Sequence, residues 1–322
     1  HLNKIVFQFL AVMKANTLHR KYKYDCIWGM MAHSTGVPAG IFKTINPSVP
    51  YVLTLQEGDP PEYIKKKMRL VYPFFVRGFT KADVIQAIST FLASWGRNMG
   101  FRGNLEVIPN AVNTKHFSQE YSDAELNELK EKLGKKKDDV FVITTSRLVH
   151  KNAVDDVIKA MALLPENVHF IVLGTGPDQD KLDKLVQGEG VGERVHFIGH
   201  VDHKEMPKYL KVCDIFTRPS RSEGMGNSFV EAMAAKLPVI ATQEGGISDF
   251  LFDGDWHPYQ DSTGWAVDKA WLPAIGEAVK VILEIPGIVG ETVSNAKKLV
   301  SLKYDWNLIA RDMKEKVFEP LL

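Results

Sequence analysis

The chain has 322 residues, 45% of them hydrophobic and 25% charged, which is ordinary for a globular protein in water and long enough for two cores. Cys26 and Cys213, the only cysteines, stand far apart with no metal-ligand spacing beside either, which excludes a disulfide framework or a zinc module and fits a reducing cytoplasm. The net charge of +1 conceals an asymmetry: residues 1–117 hold 15 Lys+Arg against 6 Asp+Glu, or +9, and the remaining 25 basic and 33 acidic residues give −8, so two domains with different partners are expected.

Residues 2–19 read as a helix. Asn3, Lys4 and Gln8 interrupt its apolar start, so it is not the core of a signal peptide, and no run of about 18 apolar residues offers a membrane-spanning helix. Residues 26–30 and 51–55 read as buried strands and residues 84–87 and 106–108 as shorter ones, with helical stretches between them. A chain that opens inside a helix, ahead of any strand, is expected to lack the beginning of its first domain. Residues 113–136, polar and charged, form the expected linker.

From about Asp138 apolar runs alternate with amphipathic stretches. Strands are expected at residues 141–145, 169–173, 195–198, 215–217 and 239–242, and helices at 154–164, 178–186, 204–212 and 227–235. Such alternation with short loops specifies a doubly wound parallel sheet, whose ligand sits at the carboxyl ends of the strands. No internal repeat of fixed short period and no low-complexity segment is present.

The most informative segment is Pro219-Ser220-Arg221-Ser222-Glu223-Gly224-Met225-Gly226-Asn227-Ser228-Phe229-Val230-Glu231-Ala232-Met233-Ala234, which follows an expected strand and opens an expected helix. Glycines 224 and 226 let the backbone turn tightly and approach a ligand, and the free N–H groups at the helix start, near Asn227 and Ser228, favour an anion. This is a cradle for a diphosphate. Glu223 lies before the turn and Glu231 inside the helix, so the two carboxylates address different parts of one elongated ligand, and carboxylates accept hydrogen bonds from hydroxyls such as those of sugar and ribose rings.

This segment resembles the Glu, seven residues, Glu signature of family 4 of the retaining glycosyltransferases. The likeness extends to Thr145-Ser146-Arg147-Leu148-Val149-His150-Lys151, Leu173-Gly174-Thr175-Gly176-Pro177-Asp178, Val195-His196-Phe197-Ile198-Gly199-His200-Val201 and Gly245-Gly246-Ile247-Ser248-Asp249-Phe250, all in the family's order. Val107-Ile108-Pro109-Asn110-Ala111-Val112-Asn113 resembles its hinge, and the match spans roughly residues 20–268 plus Tyr304-Asp305-Trp306. The resemblance implies an α/β GT-B fold, with two Rossmann-like domains facing a cleft and the first of them incomplete. On this reading residues 1–115 form the incomplete acceptor-side domain, residues 116–302 the nucleotide-sugar-binding domain, and residues 303–322 a C-terminal helix that returns to the first.

The implied activity is glycosyl transfer from a nucleoside-diphosphate sugar to a sugar, glycan or lipid-linked acceptor, with retention of configuration by front-face attack. Carried over residue by residue, Arg147 and Lys151 grip the diphosphate, Glu231 holds the ribose hydroxyls, Glu223 contacts the transferred sugar, and the amides of Gly226, Asn227, Ser228 and Phe229 complete the phosphate site. Gly174, Gly176 and Pro177, with Gly199, His200 and Val201, border the nucleoside. Catalysis is assigned to Glu223, Arg147 and Lys151. No cofactor and no metal is implied: no Asp-x-Asp pair is present, so the cationic side chains and the helix terminus supply the positive charge. UDP is the default nucleotide and GDP the next.

The chain departs from the family at three places. The family's phosphate-binding lysine often directly precedes a glycine, whereas Lys151 is followed by Asn152 and Ala153; a family histidine often ends the strand matched by residues 52–55, whereas this chain has Gln56 and Glu57; and the chain is expected to start after the family's opening strand and glycine-rich loop.

Blander readings run beside these. Gly174-Thr175-Gly176 lacks the third glycine of a dinucleotide fingerprint and reads alone as a strand-to-helix turn. Glu223 and Glu231 read alone as acids of a helix and its approach. His33, His150 and His200 read as packing or surface histidines, with His33 the exception because it follows a strand where an acceptor enters; Gln56 and Glu57 join it as acceptor-side candidates. A binding module or pseudoenzyme that kept nucleotide-sugar affinity without turnover is the alternative function, and an epimerase or phosphorylase a further one. Residues 63–77 combine basic side chains with dense apolar and aromatic ones. They read either as a core-facing helix with a solvated basic edge or as a contact with an anionic membrane surface, which would make the protein peripheral at the inner face of the membrane. No nucleic-acid partner is expected, since no recognition motif accompanies the basic residues.

Overall fold

The structure, a computed structural model, describes residues 2–321. It divides into two compact units, one of His1–Asn110, Glu223–Met225 and Asn307–Leu322, the other of Ala111–Ser222 and Gly226–Trp306.

The first unit holds a parallel sheet of β1 (Ile27–Met30), β2 (Tyr51–Leu55), β3 (Val84–Ala87) and β4 (Asn104–Val107), in that spatial order. Every residue of β2 and β3 is buried, as expected where helices cover both faces of a parallel sheet, whereas β1 and β4 are half-exposed edges. The last strand begins ahead of the expected 106–108 because its register pairs Asn104–Val107 with Val84–Ala87. Helix Val37–Ile45 crosses helix Tyr72–Thr80 at two glycines, Gly40 and Gly78; a Cβ on Gly78 would lie 2.6 Å from the Gly36 carbonyl oxygen. Phe75, Phe79 and Trp95 fill the core beside them, with ring centroids 5.3 Å and 5.1 Å apart around Phe79. Residues 63–77 are not one helix. Pro61–Met68 and Tyr72–Thr80 are joined by a 3₁₀ turn, Arg69–Val71, because Pro73 cannot donate to a preceding turn and suits the first turn of a new helix.

The second unit holds a six-stranded parallel sheet: β5 (Val140–Thr145), β6 (Val168–Leu173), β7 (Val195–Gly199), β8 (Ile215–Arg218), β9 (Val239–Ala241) and β10 (Trp265–Ala266). Its order is β10-β9-β8-β5-β6-β7. Renumbered from β5, this is the 6-5-4-1-2-3 order of a complete doubly wound sheet. Helix Val154–Met161 packs one side with Val157, Ile158 and Met161 against Val142, Phe170 and Ile275, all buried. The stretch 113–136 is not an open linker: it forms helices Thr114–Phe117 and Asp123–Lys132, the second opened by a reciprocal capping box between Ser122 and Glu125. Two helices with no sequence expectation, Leu272–Glu284 and Pro286–Lys303, close the unit, separated at Pro286.

Candidate functional site

In the six-stranded sheet the chain runs outward from β5 to β7 and then returns to lay β8 on the opposite side of β5. At such a switch point the loops after the two neighbouring strands diverge and open a crevice at their carboxyl ends. Those loops are residues 146–153 after β5 and 219–226 after β8, and they carry Arg147, Lys151 and Gly226.

The loop after β5 is zipped to the turn after β6. Ser146 N–H donates to the Leu173 carbonyl at 3.0 Å, Leu148 N–H to Thr175 at 3.0 Å, and Asp178 N–H to Leu148 at 3.1 Å. Gly174, at φ +134°, lies so close that a Cβ would collide with the Ser146 carbonyl oxygen, and one on Gly176 with that of Leu148. The two glycines therefore let the loops after β5 and β6 pack directly on each other. Leu148 is fully buried between them, and the neighbouring Arg147 projects into solvent. Lys151 is half-buried and its carbonyl accepts the Arg221 N–H at 2.7 Å. Ala153, two residues on, takes a left-handed conformation at φ +56°, which explains physically why glycine suits this loop.

Arg221 clamps the two loops. Its guanidinium donates to both Asp155 carboxylate oxygens at 2.8 and 2.9 Å, to Asp156 at 2.7 Å and to the His150 carbonyl at 2.6 Å. Burial works against ionisation of Asp155, yet the hydrogen bonds and charge of Arg221 outweigh it and hold that carboxyl below its ordinary value.

The helix Asn227–Ala234 starts from Gly226, at φ +87°, and no side chain caps its N-terminus; the Phe229 N–H donates to the Gly226 carbonyl at 3.2 Å, which leaves the amides of Asn227 and Ser228 for an anion. Ser228 is half-buried and Phe229 fully buried. Beneath this turn lies Arg218, the last residue of β8 and only 6% exposed. One turn into the helix, the Glu231 side chain is 16% exposed and lies 3.4 Å from Nε2 of His203. Burial pushes the Glu231 carboxyl above the usual carboxylate range, opposed by the hydrogen bond and charge of His203 and by the charge of Arg218. The His203 ring lies face to face with His116, centroids 5.5 Å apart, and edge-on to Phe117. Gly199 ends β7 and accepts the Gly174 N–H at 2.7 Å; His200 and Val201 line a cavity of about 300 Å³ with Glu128, Lys132 and Tyr209.

In the first unit, His33 and Glu57 meet. Glu57, 1% exposed, follows the carboxyl end of β2; its Oε1 accepts from His33 N–H at 3.2 Å and lies 3.3 Å from His33 Nδ1, and its Oε2 accepts the Gln56 N–H at 3.0 Å. His33 stands in a π-helical turn, Ala32–Gly36, entered through Met31 at φ +68°. Within the same unit, Gly224, which follows Glu223 in the chain, approaches the Glu57 carbonyl so closely that a Cβ would overlap it.

Within the second unit, Arg147, Lys151, Gly174, Gly176, Pro177, Gly199, His200, Val201, Gly226, Asn227, Ser228 and Phe229 all follow or end strands at one edge of the sheet, with Glu231 a turn further on. Within the first, His33, Gln56 and Glu57 cluster, with Glu223 in the segment that joins them. Reading the sequence missed Arg218, Arg221 and His203. A cation ending the apolar run 215–217 was the available signal for Arg218; Arg221 and His203 acquire their roles only from residues distant in sequence.

Two parallel-sheet units of this kind have the GT-B fold: the structure of Anabaena Alr3699/HepE in complex with UDP matches 95% of this chain and 81% of that one, with a TM-score of 0.82 at 22% identity. The chain belongs to the family of glycosyl transferases group 1, whose model matches residues 126–299, more than half its length. It is 31% identical to alpha-monoglucosyldiacylglycerol synthase of Acholeplasma laidlawii over 47% of this chain and 39% of that relative. It is 28% identical to the GDP-mannose-dependent alpha-(1-6)-phosphatidylinositol monomannoside mannosyltransferase of Mycobacterium tuberculosis over 71% of this chain and 60% of that relative. The chain thus spans 39 to 60% of the length of these two relatives.

Proposed function

We propose that the chain transfers a sugar from a nucleoside-diphosphate sugar to a sugar, glycan or lipid-linked acceptor, with retention of configuration and without a bound metal. The observation that carries this reading is the switch point of the six-stranded sheet, where Arg147, Lys151 and the uncapped helix at Gly226 share one edge with the buried carboxylate of Glu231. Cations and amides suit a diphosphate, and a carboxylate suits the ribose hydroxyls. Gly199, His200 and Val201 border the nucleoside, Glu223 contacts the transferred sugar, and His33, Gln56 and Glu57 serve the acceptor side. The acceptor oxygen attacks the anomeric carbon on the face from which the diphosphate departs; a phosphate oxygen receives the hydroxyl proton, and Arg147, Lys151 and the amides stabilise the charge left on the nucleotide.

UDP is the first candidate nucleotide, supported by the HepE structures with UDP and UDP-glucose, and GDP the second, supported by the mycobacterial relative's name. Relatives whose names carry a glucosyldiacylglycerol and a phosphatidylinositol monomannoside support a lipid-linked acceptor. Among the described residues no helix is long and apolar enough to cross a membrane. An anionic membrane surface is instead met by residues 63–77, where Tyr63, Leu70 and Phe74 are exposed among Lys65, Lys66, Lys67, Arg69 and Arg77.

The test is incubation of the chain with UDP-glucose or GDP-mannose labelled in the sugar, together with anionic glycolipid acceptors, and determination of the anomeric configuration of the product. An α-linked product from the α-configured donor is expected; a β-linked product contradicts retention, and release of no nucleotide from either donor contradicts transfer.

A further inference from the structure

Among the described residues, the mostly buried Glu231 carboxylate has one hydrogen-bond donor: Nε2–H of His203 donates to its Oε1 at 3.4 Å. His203 stands in the turn between β7 and the helix Met206–Val212, and its side chain is 64% exposed. A histidine so exposed is ordinarily free to change rotamer, yet this one is braced. His116 Nε2–H donates to the His203 carbonyl at 3.0 Å, and Gln119 Nε2–H donates to His116 Nδ1 at 3.3 Å, which fixes the tautomer that makes the first bond. The rings of His116 and His203 lie 24° from parallel with centroids 5.5 Å apart, and Phe117, fully buried, meets the His203 ring edge-on at 5.2 Å. The turn itself is closed on Asp202, whose side chain accepts the Lys204 N–H at 2.9 Å and whose carbonyl accepts the Glu205 N–H at 2.9 Å.

Burial raises the Glu231 carboxyl, and what opposes it, in order, is the hydrogen bond from His203, the charge of His203, the charge of Arg218 at the end of β8 and the charge of His116. These are the charged and titratable groups that face Glu231 from the turn after β7, from β8 and from the helix Thr114–Phe117. His203 is therefore the largest opposing influence, and its hydrogen bond meets one oxygen only. A carboxylate has about four lone-pair sites, so this bond leaves sites on both oxygens, enough for two neighbouring hydroxyls.

We propose that His203 is a positioning residue of the ribose site: braced by His116 and Phe117, it holds the Glu231 carboxylate in place as the acceptor for the vicinal hydroxyls of the donor's ribose. The inference rests on the donor-binding reading given above, and it deepens that reading by making recognition of the ribose diol depend on a side chain that does not itself touch the hydroxyls. Removing the ring leaves the carboxyl buried without its donor, so Glu231 turns more readily and takes up a proton at a higher pH.

The experiment is calorimetric titration of the whole chain and its His203→Ala and His203→Gln variants with UDP and 2′,3′-dideoxy-UDP, and with the corresponding guanine pair, at pH values from neutral to acidic. Thermal melting is the control for folding. Titration of the phosphates is common to both members of a pair, so the ratio of their affinities reads the ribose hydroxyls alone. Wild type is expected to bind the nucleotide with hydroxyls more tightly, and that preference should fall on acidification as Glu231 is protonated. For His203→Ala, binding of UDP or GDP should weaken about threefold to tenfold, the loss of one modest hydrogen bond, with the dideoxy ligand within about twofold. The preference should also begin to fall at a higher pH than in wild type. His203→Gln keeps a donor without the ring's charge, so it should recover part of the affinity while its preference still falls at a higher pH. Should His203→Ala not fold, the direction of the pH shift in His203→Gln decides. An equal loss for both ligands overturns the role in favour of a purely structural tie, and so does an unchanged preference in folded His203→Ala or one that falls at the wild-type pH. If wild type binds both members of a pair equally, the ribose assignment of Glu231 fails and takes this inference with it, while diphosphate binding stands. If neither UDP nor GDP binds at all, the donor reading itself fails.

Discussion

Arg147 and Lys151 lie on one loop but differ in how firmly the fold presents them. Arg147 follows β5 between two anchored neighbours, Ser146 and Leu148, and its planar fork can bind two phosphate oxygens; Lys151 is a point charge on a flexible stem. Arg147→Ala is expected to lower kcat/KM by roughly tenfold to a hundredfold, the loss of one charge-assisted hydrogen bond in the transition state, and Lys151→Ala by less. Steady-state kinetics with the donor that proves active checks this, and equal rates for wild type and Arg147→Ala would remove Arg147 from the site. Glu231 gives a pH test. Its carboxyl is raised by burial, so it takes up a proton at a higher pH than an ordinary carboxylate, and in the proposed role it then no longer accepts from both ribose hydroxyls. UDP affinity should therefore weaken on acidification before ordinary carboxylates titrate, and Glu231→Gln should bind weakly with that limb flattened. A limb that persists in Glu231→Gln assigns it to another group. At this scale the sequence shows the acid and glycine positions, because they recur at fixed spacing along one stretch of chain. It hides Arg218 and His203, whose partners, Ser228 and Glu231, meet them only through the fold.

At the scale of elements, β5, β6, β8 and β9 were legible because strands buried on both faces read as continuous apolar runs, and the half-exposed edge strand β7 because Val195, Phe197 and Ile198 keep it apolar. β10, only two residues long, offers no period to read, and the helices Leu272–Glu284 and Pro286–Lys303 are run together by the apolar Ile285 and separated only at Pro286. The expected linker failed for a different reason: polar residues signal exposure, and exposed helices with a single buried contact, such as Leu129 of Asp123–Lys132, are polar too. Away from the candidate site, early in β6 and β7, His169 Nδ1 and His196 Nε2 are 3.1 Å apart. Their ring centroids are 5.4 Å apart with planes tilted by 17°, so the rings are nearly coplanar, end to end, and share one proton. Burial lowers both from the ordinary 6.5, Asp139 and Glu193 opposing the fall and Arg194, Lys136 and the facing imidazole adding to it. Above 6.5 both rings are neutral, folded or unfolded, and their contribution to stability is complete. As the pH falls below it, the unfolded chain binds protons that the folded chain resists, and stability is lost until the depressed folded values are reached. The melting temperature should fall more steeply between neutral pH and pH 5 for wild type than for His169→Gln/His196→Gln, and equal slopes would show that the pair carries no such linkage.

At the scale of the molecule, the +9 charge of residues 1–117 and the exposed Tyr63, Leu70 and Phe74 are the features that bear on an acceptor at a membrane. Basic side chains near anionic lipid contribute about 1 kcal/mol each, so several together give a measurable and salt-sensitive affinity. Co-sedimentation with vesicles containing phosphatidylglycerol is expected to exceed that with phosphatidylcholine alone, to weaken with salt, and to drop in Lys65→Gln/Lys66→Gln/Lys67→Gln; binding indifferent to lipid charge would return this stretch to an ordinary solvated edge. The central claim, that the six-stranded unit binds a nucleoside-diphosphate sugar at its switch point, is tested most directly by thermal melting of the chain with UDP-glucose, GDP-mannose and ADP-glucose. A ligand at a hundredfold excess over its Kd stabilises the folded state by about 2.7 kcal/mol, so one of these should raise the melting temperature by roughly 5 °C or more, and Arg147→Ala and Glu231→Gln should lose most of that rise. No rise with any of the three, or a rise that both variants retain in full, would contradict the account.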